Sequence, residues 1–105
     1  MTLEEIRAFV VSVDPAAEHY VSASDRLEYT VWAERERLPH SADDAHEGGW
    51  AFDITRVTQT EFDPVAARLD QALDDCPWIA YRYTVQASVG NDGLVIVHRF
   101  ACEGV

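Results

Sequence analysis

The stretch from Ile79 to Cys102 constrains the fold more than any other part of this chain. Ile79, Tyr81, Tyr83, Val85, Ala87 and Val89 recur at every second position. A period of two places them on one face of a β-strand. Gly90-Asn91-Asp92-Gly93 follows, and glycine and asparagine tolerate the positive backbone angles of a tight hairpin. Leu94 to Cys102 then carries apolar residues on both faces, which reads as a central strand. A long hairpin is therefore written locally, and the rest of the chain must supply the layer that covers it.

The remaining segments fit that requirement. Thr2 and Glu5 have capping-box spacing, and Leu3, Ile6, Phe9, Val10 and Val13 form one helical stripe that Asp14-Pro15 ends. Residues 16–25 read as irregular. Leu27, Tyr29, Val31 and Ala33 then alternate with Glu28, Thr30, Glu34 and Glu36, as in a half-buried strand whose apolar face carries Tyr29 and Val31. Trp32 stands on the polar side of that pattern. Pro39 to Gly49 is an acidic loop, followed by a strand with Trp50, Phe52 and Ile54 on one face. Val57 falls on the other face, which suggests a bulge near Thr55-Arg56 or apolar contacts on both sides. Asp63-Pro64 supplies the N-cap and first residue of a second helix, with Val65, Leu69, Ala72, Leu73 and Cys76 inward, and Cys76-Pro77 ends it. The expected fold is a single α+β domain over residues 1–105, in the order α-β-β-α-β-β. Its mainly antiparallel four-stranded sheet carries both helices on one face.

Charge narrows the function classes. The chain has 8 basic residues, all arginine, against 19 acidic ones, for a formal charge of -11. Nucleic-acid binding draws on clustered Lys and Arg, and no such cluster is present. Specific DNA binding and anionic membrane surfaces are therefore poor expectations. No apolar stretch approaches the roughly 20 residues of a membrane span, and Met1 to Val13 lacks the pattern of a signal peptide. Cys76 and Cys102 read as buried free thiols. A soluble protein made in a reducing cytoplasm is the expectation.

Candidate chemistry is sparse. His40, Asp43, Asp44, His46 and Glu47 crowd metal-ligating types into one loop, but without the spacing of a metal site. A solvated acidic loop is the expectation. No serine lies in a nucleophile elbow. His98 shares a strand face with Ile96 and Phe100 and reads as a satisfied semi-buried histidine. Glu61 and Asp63 sit where acids serve a helix dipole, and Gly48-Gly49 precedes a strand, which is no phosphate loop. The expectation is a protein without catalytic, cofactor or metal residues. Trp32 has two readings, cover by a helix of its own chain or service as an interface anchor. With Glu34, Asp43 and Asp44 it makes the candidate subunit interface.

Short motifs in order along the chain carry a resemblance. They are Tyr29-Thr30-Val31-Trp32 with Glu34, Ser41-Ala42-Asp43, Ile54 to Thr58, and Glu61-Phe62-Asp63-Pro64. Ala80-Tyr81 and the closing His98 to Gly104 complete the series. Together they span nearly the whole chain, and this order resembles the tail-terminator-like minor structural proteins of long-tailed phages and prophages. The resemblance implies a virion protein without enzymatic activity that forms a homo-oligomeric ring, commonly a hexamer. Such a ring caps the tail tube and joins it to a head-completion or neck protein, and DNA passes through it ungripped. An acidic wall suits that passage, because it lets a polyanion slide. A neck or stopper ring is the near alternative. Outside that class stand a dimeric α+β binding module of bacterial origin and a metal-dependent hydrolase using the His/Asp loop.

Overall fold

The computed structural model describes residues 1–22, 25–39 and 48–105. Helix α1 spans Leu3–Val13. Its capping box is formed, with Glu5 N–H donating to Thr2 Oγ1 and Thr2 N–H to Glu5 Oε1, both at 3.1 Å. Asp14 closes the helix by donating its N–H to the Val10 carbonyl. Strand β1 (Glu18–His19) follows, then β2 (Tyr29–Arg37) and β3 (Trp50–Thr58). Helix α2 spans Pro64–Asp74 and leads into β4 (Ile79–Gly90) and β5 (Gly93–Gly104).

The described residues form an α+β domain with two helices and a sheet of five strands in the order β1-β2-β3-β5-β4. This corrects the expected four-stranded antiparallel sheet. β1 runs parallel to β2, through Glu18 opposite Val31 and His19 opposite Trp32. Two polar residues are too short for any period to register, so the segment read as irregular. The chain leaves β1 through Tyr20, whose φ of 71° lies in the left-handed region. Its N–H is anchored on the Trp32 carbonyl at 2.8 Å. The other pairs are antiparallel, and β5 lies between β3 and β4 as its apolar composition requires.

Register decides which face is the core. Trp32, Ile54, Phe100 and Tyr83 lie side by side across β2, β3, β5 and β4. So do Glu34, Phe52, Cys102 and Tyr81. Ile6 and Val10 of α1 and Leu69 and Leu73 of α2 pack on these rows, so both helices cover the same face. The opposite rows carry Ala33, Asp53, Ala101 and Arg82, then Val31, Thr55, Arg99 and Thr84. The large side chains therefore select the face. The alternation in β2 points the other way from its sequence reading: Trp32 is in the core, and Tyr29 and Val31 are on the outer face, half-buried.

Two further details differ from expectation. β3 keeps unbroken register with β5 from Trp50 to Thr58, so there is no bulge at Thr55-Arg56. The irregularity lies in β2, between Glu34 and Glu36. Val57 is an outer-face residue, opposite Tyr29 and Val97, which is the second of the two expected readings, apolar contacts on both faces. In the hairpin turn only Gly93 takes a positive φ, 98°, so asparagine's tolerance is not used there. The Asp63 cap and the Pro64 start of α2 are as expected, with Ala66 N–H donating to Asp63 Oδ2 at 2.8 Å.

Candidate functional site

A buried polar cluster ties both helices to the sheet. Arg56 projects from the core face of β3 and is 8% exposed. It donates from Nε to Asp63 Oδ2 at 3.0 Å and from Nη1 to Thr30 Oγ1 at 3.4 Å, and it approaches Asp14 Oδ2 at 4.0 Å. Burial alone would raise the pKa of Asp63. The hydrogen bonds from Arg56 and Ala66 N–H and the guanidinium charge outweigh it and hold the carboxyl below the ordinary range. Asp63 thus caps α2 and neutralises Arg56 together, while Asp14 brings the end of α1 to the same charge. Sequence reading singled out Asp63 for the helix but missed Arg56. An arginine on the Phe52/Ile54 parity of a strand was the available signal.

His98 lies beside this cluster on β5, 8% exposed. Its Nδ1 pairs with the Tyr83 hydroxyl at 2.6 Å, and Nε2 is buried without a partner among the described residues. Burial lowers its pKa, and the Asp63 charge opposes that less than fully. The semi-buried reading of His98 therefore holds on one nitrogen only. Since Nε2 is sealed from solvent, it is not presented to a bound molecule.

The residues proposed for an interface separate. Trp32 is 2% exposed, so its ring belongs to the core of the single chain. Its cover comes from its own chain: the His19 ring stacks on it at 3.8 Å, and Tyr20 stacks on His19 at 3.7 Å. Glu34 lies half-buried on the same face and meets His19 Nε2 at 2.9 Å through Oε1. Burial opposes its charge, but bonds from the Tyr20 hydroxyl and His19 hold its pKa below the usual value. Asp43 and Asp44, with the rest of the His/Asp loop at 40–47, lie outside the described residues. Among the described residues no three His, Cys, Asp or Glu gather as a metal would require. Both thiols are unpaired, and burial pushes Cys102 up to about 12.

The surface that sequence reading missed is the outer face of the sheet. Both helices lie on the other side, so Tyr29, Val31, Val57, Val95 and Val97 form a half-buried apolar band in its middle. Arg35, Arg82 and Arg99 share that face with Asp53, which receives a 3.2 Å bond from Arg35. An exposed aromatic stands at the entry to α2. Phe62 is 97% exposed and holds a φ of 55°. It borders a groove lined by Ala66, Ala67, Val85, Ile96 and His98. No helix among the described residues is long and apolar enough to cross a membrane. A comparison with protein-family models gives no match, and a search of curated proteins gives none either.

Proposed function

We propose that the protein is a ring-forming structural subunit of a phage or prophage virion, a tail terminator that caps the tail tube and offers the joining surface for the head. The observation that carries this reading is the uncovered sheet face. A sheet with helices on one side only leaves its other side to water or to a second layer. Here that side presents a half-buried apolar band, Tyr29, Val31, Val57 and Val97, in the central strands beside polar rows that carry Thr55, Asp53 and Arg99. A neighbouring subunit in a head-to-tail ring supplies the missing layer. Phe62 supports the same reading: a strained, exposed aromatic contributes little to the isolated fold and suits a contact made on assembly. The formal charge of -11 accords with a ring that DNA traverses without being held. The motif order, which resembles that of the tail-terminator proteins, supports a position at the tail end.

The test is electron microscopy of tails assembled with gold-labelled protein. Label at one end of each tail is the expected result. Label along the tube, or none, removes the tail-terminator reading.

A further inference from the structure

We infer that free β4 edges of two copies pair antiparallel about a two-fold axis at Thr84, joining their five-stranded sheets into one. β4 is 12 residues long and stays in unbroken register with β5 on one side. It is last in the strand order, so its other side has no strand beside it among the described residues. Protected edges are short, charged, bulged or interrupted by proline. β4 has none of these features: Ile79–Gly90 contains no proline and a single charge, Arg82. The opposite edge is guarded. There β1 covers part of β2, a bulge falls between Glu34 and Glu36, and the strand ends in the charged run Glu34 to Arg37.

Charge and pattern select a second copy as the partner. Each chain carries -11, so two copies repel over most of their surfaces. β4 holds no acidic residue and is one of the places where they can meet. With Thr84 on the axis, the helix-side row pairs Ile79 of one copy with Val89 of the other, Tyr81 with Ala87, and Tyr83 with Val85. Tyr83 with Val85 joins an aromatic to a β-branched side chain, a combination that stabilises cross-strand neighbours, and the other two pairs set apolar or aromatic side chains against apolar ones. The pairing covers Val85 and Val89, which are 55% and 84% exposed in the single chain. On the outer face Arg82 meets Gln86, Ala80 meets Ser88, and Thr84 meets Thr84. No like charges oppose each other.

The inference does not depend on the terminator reading. Two-fold mates point in opposite directions, whereas all subunits of a ring on a tube point the same way. The edge contact therefore belongs to the unassembled protein.

The test is sedimentation equilibrium of the full chain, with near-ultraviolet circular dichroism to confirm the fold. A mass of twice 11.8 kDa is expected for the wild type. Thr84 is exposed, so Thr84→Asp and Thr84→Lys leave the fold intact. Each sets like charges across the axis and weakens the dimer about tenfold or more. Mixing the two variants restores dimers, a result that damage to the fold would not produce. Gln86→Glu, which sets a carboxylate opposite Arg82 of the other copy, tightens the dimer. A monomeric wild type, or a dimer unaffected by both Thr84 variants, overturns the inference.

Discussion

At the scale of single residues, Arg56 and Asp63 carry the largest energetic consequence. Asp63→Ala removes a helix cap and leaves a buried guanidinium without its closest counter-charge, at a cost of about 3–5 kcal/mol. A urea melt measures it, and a loss below about 1 kcal/mol would mean that Arg56 finds water instead. Acid has a related effect. Asp63 has a depressed folded pKa, so its contribution is present above the unfolded carboxylate value of about 4 and is lost as pH falls through the folded value. His98 acts earlier. Its folded pKa is also lowered, so the fold prefers the neutral ring, and stability declines once pH drops below about 6.5. Melts between pH 7.5 and 5 show that slope in the wild type, and His98→Gln, which cannot titrate there, flattens it. Trp32→Ala reports on folding, at about 3–5 kcal/mol, because its ring lies in the core. β2 by itself could not reveal this. The alternation of Leu27, Tyr29, Val31 and Ala33 suggests one inward face, and only the neighbouring Ile54, Phe100 and Tyr83 show that Trp32 and the large side chains share the other.

At the scale of elements, the parts with strong local chemistry were legible. The capping box at Thr2, the Asp63-Pro64 start of α2 and the Gly90–Gly93 reversal are short-range devices, and each forms where its residues stand. β1 was not legible, because Glu18 and His19 become a strand only through pairing with Val31 and Trp32, which lie outside their own segment. Of the two readings of β3, the bulge near Thr55-Arg56 is absent and apolar residues on both faces are present, and the irregularity in β2 was not legible because it is a property of two paired strands. Two backbone positions give tests at this scale. A Cβ at Gly49 would run into the Gly104 carbonyl oxygen where β3 begins beside the end of β5. Gly49→Ala therefore costs about 1–3 kcal/mol in a urea melt. Phe62 is the reverse case. Its left-handed φ costs an L-residue about 1–2 kcal/mol, and its ring buries almost nothing in the single chain. Phe62→Gly should leave the melt unchanged or raise stability by about 1 kcal/mol, while weakening assembly. A variant that unfolds more readily would show that the ring serves the fold.

At the scale of the whole molecule, sequence and structure agree on an α+β domain with both helices on one face of the sheet. What sequence could not supply was the identity of the exposed face. Trp32 and Glu34, the interface candidates of the sequence, stand among the core rows, and the uncovered apolar band is made by Tyr29, Val31, Val57 and Val97. In the proposed assembly a neighbouring subunit covers this band in a ring that ends the tail tube. The direct measurement is the length distribution of tails assembled with wild-type protein and with the Val31→Lys/Val97→Lys variant. Lysine stems can lie along the sheet while their charges reach water, so the single-chain fold is spared, and a urea melt verifies this. Wild-type protein should give tails of uniform length, and the folded double variant tails of variable, extended length. Uniform tails with the double variant, or variable tails with both proteins, would rule out a length-setting ring closed through this face.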